Sequence, residues 1–173
     1  MSHREFFLQT KRLAFRRWSP ADLPLAISLW GDPEVTRFFG GPFSKEAVLH
    51  RLELEIANET AHHVQYWPVF LQSTEEFVGC TGLRPYRPEE QIYELGFHLR
   101  PHHWGKGFGT EAAAGVVSYA FSTLRTKALF AAHHPANFAS KRIIEKLGFQ
   151  FTHKNLYAPT NEMHLAYLLT SSL

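Results

Sequence analysis

Apolar positions change their spacing several times along the chain, and the changes mark out the elements. Between Ser44 and about Thr60, Val48, Leu52 and Ile56 recur every fourth residue, which is one face of an α-helix capped by the Ser44 hydroxyl. Residues 63–72, 76–84 and 91–100 read as three extended segments, separated by Ser73-Thr74-Glu75 and by a loop through Pro85 and Pro88. That arrangement predicts an antiparallel meander. The helical period returns over 105–124, where Ala113, Val116, Val117, Ala120 and Leu124 form a stripe. A short buried strand is expected at 127–132. A further helix over about 137–147 stops at Gly148, which suits a left-handed cap, and strands near 149–157 and 162–169 follow. Upstream, residues 13–18 alternate weakly, and Ser19-Pro20-Ala21-Asp22 starts a short helix to about Trp30. Gly31-Asp32-Pro33 and Gly40-Gly41-Pro42 read as breaks. This order of elements implies a mixed sheet with helices on both faces.

Composition narrows the picture further. At 173 residues, 45% hydrophobic and 20% charged, with no linker or repeat, the chain is expected to be a single domain over residues 1–173. The one cysteine, Cys80, excludes an internal disulfide framework and a thiolate zinc site. No apolar run suits a leader or a membrane span, so a cytoplasmic protein without membrane contact is expected. The net charge is +2 and the basic residues do not gather, which argues against a nucleic-acid partner. His62-His63, His102-His103 and His133-His134 invite a metal reading. Neighbours on a strand point to opposite faces, however, and no metal is expected.

The stretch richest in chemistry is Trp104-Gly105-Lys106-Gly107-Phe108-Gly109-Thr110-Glu111. A strand runs into alternating glycines and then a helix, exposing backbone N–H groups with no Cβ to block approach. The helix dipole and Lys106 add positive charge there, as a diphosphate cradle needs. A tight turn with capping glycines is the plain alternative. The spacing matches neither a Walker A loop nor a dinucleotide fingerprint.

Three motifs carry a resemblance: Trp104 to Ala112, the upstream Tyr93-Glu94-Leu95-Gly96-Phe97, and the downstream Asn137-Phe138-Ala139-Ser140-Lys141-Arg142-Ile143-Ile144-Glu145-Lys146-Leu147-Gly148-Phe149. Together with Leu8-Gln9-Thr10-Lys11-Arg12-Leu13 and Gly31-Asp32-Pro33-Glu34-Val35-Thr36, they resemble the GCN5-related N-acetyltransferases (GNAT), over about residues 8–169. Within that family they are most similar to the branch of ribosomal-protein N-terminal acetyltransferases.

The resemblance implies an α/β fold of α+β mixed character, with a mostly antiparallel sheet of about seven strands. It also implies acetyl-CoA, with the pyrophosphate on the backbone amides of Gly105, Lys106, Gly107, Phe108, Gly109 and Thr110. Trp104 stands where the broader family often has Arg or Gln. Pantetheine would pair with backbone around Phe97, His98 and Leu99, with Asn137 opposite. The reaction implied is direct attack by a primary amine, on a protein N-terminus or a small molecule, in a ternary complex. A non-catalytic acyl-CoA-binding module is the rival.

Acetyl transfer needs a neutral amine and a donor for the leaving thiolate. Glu94, in an apolar strand beside Ile92 and Leu95, is the candidate base, with an ion-paired strand residue as the alternative. Ser140 is the candidate donor, by its Asn-x-x-Ser position, with helix capping as the alternative. The tyrosine that the family often supplies in this helix is absent between Asn137 and Leu147. Acceptor selection is assigned to residues 34–41 with Phe38 and Phe39, to the helix over about 44–60 and residues 62–67 with Trp67, and to the loop 84–90 with Tyr86; Phe38, Trp67 and Tyr86 would serve equally as core residues. Monomer and homodimer are both compatible with the sequence.

Overall fold

The computed structural model describes residues 5–171, so the first four and last two positions of the expected domain lie outside the described residues. A sheet of eight strands has the order β1 (Leu8–Gln9), β2 (Leu13–Phe15), β3 (Tyr66–Leu71), β4 (Phe77–Arg87), β5 (Ile92–Leu99), β6 (Ala128–His133), β8 (Glu162–Thr170), β7 (Gln150–Tyr157). All neighbours are antiparallel except β5 and β6. Helices α1 (Leu23–Trp30), α2 (Pro33–Thr36) and α3 (Lys45–His62) precede β3; α4 (Phe108–Ser122) joins β5 to β6, and α5 (Phe138–Lys146) joins β6 to β7. The expected meander is β3-β4-β5. The strand beyond the expected seven is β1, whose two residues are too short for alternation to register.

Local chemistry sets the helix boundaries. Ser44 Oγ accepts from the Ala47 N–H at 3.2 Å and starts α3, as its sequence predicts. Asp32 Oδ1 accepts from the Glu34 N–H at 2.8 Å, so the Gly-Asp-Pro break also opens the short α2. Ser19 is the N-cap of the short 3-10 turn Pro20–Asp22 that leads into α1, as its sequence predicts: its N–H and hydroxyl both donate to Asp22 Oδ2, at 2.8 and 3.0 Å, and Asp22 in turn holds Arg16. Gly148, at φ +88°, takes the left-handed conformation expected after α5.

The sheet separates two apolar clusters. On one side Leu13, Val69, Leu83, Leu95 and Leu129 pack with Val116 and Ala120 of α4 and Ile144 of α5. On the other, Phe70, Phe77 and Cys80 pack with Trp30 of α1 and with Val48 and Leu52 of α3. Successive residues on β3 point to opposite clusters, and this corrects one expectation. Trp67 is 1% exposed, meets Phe7 and Tyr119 edge-on, and donates its indole N–H to Glu59 Oε2 at 3.0 Å. It is a core residue. Tyr66, one position earlier, faces the other way.

The feature that positions the site is a split in the sheet. The parallel pairing of β5 with β6 runs Ile92↔Ala128, Tyr93↔Leu129, Glu94↔Phe130 and stops. Beyond it β5 stays bonded to β4 as far as Leu99, and β6 stays bonded to β8 as far as His133, so a cleft opens between them. Among the described residues no helix is long and apolar enough to cross a membrane, and no group of three His, Cys, Asp or Glu could hold a metal ion.

Candidate active site

At one end of the cleft the chain offers backbone. Gly105 and Gly107 stand at φ +71° and +81°, a conformation that a Cβ makes costly. The first helical bond of α4 runs from the Glu111 N–H to the Gly107 carbonyl at 3.1 Å, which leaves the amides of Phe108, Gly109 and Thr110 without an acceptor in the helix. These residues line a cavity of about 590 Å³ that extends into the cleft. Unpaired N–H groups at a helix start, with room in front of them, fit the diphosphate of acetyl-CoA. A Cβ on Gly109 would meet Ile143 Cδ1 at 2.9 Å, so this glycine also brings α4 and α5 together.

The turn is braced from the first strands. Glu111 Oε1 accepts from Thr10 Oγ1 at 2.6 Å and from the Arg12 N–H at 2.7 Å, and Oε2 accepts from Arg12 Nε at 2.6 Å. Arg12 Nη1 donates to the Lys106 carbonyl at 3.0 Å, and its guanidinium lies 4.4 Å over the Phe108 ring. The Thr10-Lys11-Arg12 motif thus holds the glycine turn, a role its sequence did not disclose. Lys106 itself is exposed and stands outside the cavity lining. Trp104 lines the mouth and donates its indole N–H to the Leu99 carbonyl at 2.8 Å. Asn137 and Ser140 lie on the opposite wall, where Asn137 Oδ1 accepts from the Ser140 N–H at 3.1 Å and caps α5.

At the other end the wall is made of side chains. Glu94, on β5 between Arg84 and Phe130, is half-buried and faces the cavity. Burial pushes its carboxyl above the usual range, and Arg84 and Arg51 offset only part of that. Glu55 of α3 is fully buried; its Oε1 accepts from Arg84 Nε at 3.1 Å and from Nη2, and its Oε2 accepts from the Tyr66 N–H at 2.8 Å. Arg84 also lies 4.2 Å over the Tyr66 ring. Gly96 makes this possible, because a Cβ there would meet the Tyr66 hydroxyl at 2.2 Å.

His98 accepts from Trp30 Nε1 at its Nδ1, at 3.1 Å, and stacks on Phe39 at 4.4 Å. Burial holds its pKa well below the usual imidazole range, so it is neutral. Cys80 is the small buried residue that the sequence suggests, its thiol pushed up to about 12 by burial.

Glu94, Ser140, Asn137, Phe38 and the segments 97–99 and 107–110 therefore meet on one cavity. Phe38 stacks on His134 at 4.9 Å. Tyr86 does not join them. A register shift between Pro85 and Arg87 turns it flat onto Phe130, at 4.3 Å and 2°, outside the cavity lining. Arg51, Tyr66 and Arg84 line the cavity from the segments assigned to acceptor selection, though none was named individually, and Tyr157 lines it as well. Arg51 and Glu55 had a signal: each lies three residues beyond a member of the Val48–Leu52 stripe, on the face that is buried.

Comparison with known proteins agrees with this architecture. Residues 12–150 match the model of the acetyltransferase (GNAT) domain. The uncharacterised N-acetyltransferase YoaA of Bacillus subtilis is 30% identical over 145 residues, which is 83% of this chain and 82% of the relative. An acetyltransferase structure from Agrobacterium tumefaciens superposes with TM-score 0.79 at 26% identity, covering 99% of this chain and 100% of that one. The RimL ribosomal-protein alpha-N-acetyltransferase, solved in complex with coenzyme A, shares the fold with TM-score 0.83 at 14% identity, over 96% and 98% of the two chains. The chain belongs to the GNAT family of N-acetyltransferases, which transfer an acetyl group from acetyl-CoA to an amine.

Proposed function

We propose that this chain acetylates a primary amine by direct attack in a ternary complex, with Glu94 as the base. The carrying observation is that Glu94 and the unpaired amides opening α4 lie on one cavity, at the two ends of the cleft that opens where β5 and β6 part. Bound there, acetyl-CoA supplies an acetyl thioester. The amides of Phe108, Gly109 and Thr110 hold its diphosphate, and the free edge of β5 around Phe97 and His98 offers backbone groups to pantetheine. Trp104 already donates to the Leu99 carbonyl, so a ligand there would use the second lone pair of that oxygen.

Glu94 takes a proton from the incoming ammonium, and its raised pKa makes it a stronger base for that transfer than an ordinary carboxylate. Ser140 keeps a hydroxyl on the wall as a hydrogen-bond donor for the departing sulfur. The acceptor is a protein N-terminus or a small amine. The test is calorimetric titration with acetyl-CoA, then thiol release from the same sample with N-terminal peptides, polyamines, amino acids and aminoglycosides. Binding with turnover on one class is the expected result; binding without turnover on any amine would identify a non-catalytic acyl-CoA-binding module instead.

A further inference from the structure

One charged group on the acceptor wall is left over. Arg84 is neutralised by Glu55, which also holds the Tyr66 N–H. Arg51, one turn earlier on α3, has no such partner: its Nε and Nη2 are buried and bonded to nothing among the described residues, although the residue lines the cavity. Its guanidinium lies 4.5 Å over the Trp30 ring, with the Phe39 ring 6.0 Å away. These contacts hold the guanidinium plane, and because Nε and Nη2 are closed off, a turn of the side chain is needed to present that edge to a ligand. Buried donors of this kind are seldom left without an acceptor, and a planar fork of N–H groups matches a carboxylate best. Glu94 faces the same chamber with the opposite need, a carboxylate that receives a cationic amine.

We infer that the acceptor is a zwitterion, an amine that also carries a carboxylate, with the carboxylate received by Arg51 and the amine delivered to Glu94. This rests on the reading of the chain as an amine acetylase and names its substrate class. Two sources carry the chemistry: a free amino acid, or a peptide N-terminus followed closely by an acidic side chain. A neutral amine or a polyamine would leave Arg51 unsatisfied, and a polyamine would add positive charge to a wall that already holds Arg51 and Arg84.

The test compares acids with their amides in a thiol-release assay: free amino acids against the corresponding amino acid amides, and glycyl-glutamate against glycyl-glutamine with the C-terminus of both dipeptides amidated. Arg51→Gln and Arg51→Lys are assayed beside the unmodified enzyme. The inference predicts that an acid is preferred over its amide through KM. Arg51→Gln should raise the acid's KM roughly tenfold or more relative to the amide's, while any change in kcat, which follows from Arg51 helping to hold down the Glu94 pKa, should fall equally on acid and amide. Arg51→Lys should restore part of the preference. Acetyl-CoA titration of each variant, read at the far end of the cavity, reports that it is folded. Should Arg51→Gln not fold, the acid-to-amide ratio of the unmodified enzyme still decides.

Preference confined to the free amino acids, or to the acidic dipeptide, identifies the source. Turnover with equal KM for acid and amide, or a ratio unchanged by Arg51→Gln, overturns the inference while leaving the amine-acetylase reading intact. Acetyl-CoA binding without turnover on any amine would overturn both.

Discussion

The two ends of the cavity are built by different means. The cofactor end is backbone: consecutive residues 105–110, with two left-handed glycines and three free amides, braced by Arg12 and Glu111 at the surface. The acceptor end is side chain: Arg51 and Glu55 from α3, Tyr66 from β3, Arg84 from β4 and Glu94 from β5, meeting where the sheet is buried. A backbone cradle recognises a ligand common to a whole family and tolerates change in its side chains. An assembled side-chain wall is set by the particular acceptor, and every member depends on the others. The contrast follows from the chemistry each end must bind, a diphosphate in one case and an individual amine in the other.

The largest predicted break is at the cradle. Gly107→Glu puts a Cβ at φ +81°, where strain costs about 1–3 kcal/mol, and sets a negative charge beside the diphosphate. Acetyl-CoA affinity should fall by roughly 100-fold or more in calorimetry, while the strain lowers the melting temperature by about 2–12 °C and leaves the protein folded at assay temperature. Next is the acceptor wall. Glu55→Ala leaves Arg84 without its carboxylate and should cost about 3–5 kcal/mol of stability, read by denaturant unfolding, because the pair is buried on the Glu55 side. The smallest effect falls on the brace. Arg12→Ala removes an ion pair that is 43% exposed at the arginine, and should raise the KM for acetyl-CoA by roughly 2–5-fold with kcat kept.

The same contrast explains what the sequence disclosed. The cofactor end was legible because its residues are contiguous, so the glycines, the following helix and Asn137-x-x-Ser140 could be read directly. The acceptor end was legible as one residue, Glu94, a lone carboxylate in an apolar strand, and otherwise only as segments, the helix over 44–60 and residues 62–67 and 84–90. Its other members come from separate elements, and Arg51 and Glu55 pass for the solvated side of a charged helix unless the Val48–Leu52 stripe is followed to their positions. Trp67 and Tyr66 show how narrow the margin is. A shift of one residue on a strand exchanges core for cavity, and composition alone does not fix that phase. Tyr86 was assigned to the cavity wrongly for a related reason, since the irregular register at Pro85–Arg87 has no signature in the apolar pattern. The fold was more accessible than the site: helices on both faces and the β3-β4-β5 meander follow from spacing, whereas the split after Glu94 depends on where pairing stops.

The central claim is that Glu94 is the base on a cavity shared with the acetyl donor, and the pH dependence of acetyl transfer tests it most directly. The carboxyl is held above its usual range by burial, so its charged, proton-accepting form is lost as pH falls through that raised value. Thiol release should show a kcat limb that declines on the acid side at a pH above the ordinary carboxylate range. In Glu94→Gln that limb should vanish and kcat should fall by roughly 100-fold or more, with acetyl-CoA affinity unchanged. An unaltered pH profile and near-normal kcat in Glu94→Gln would contradict the account.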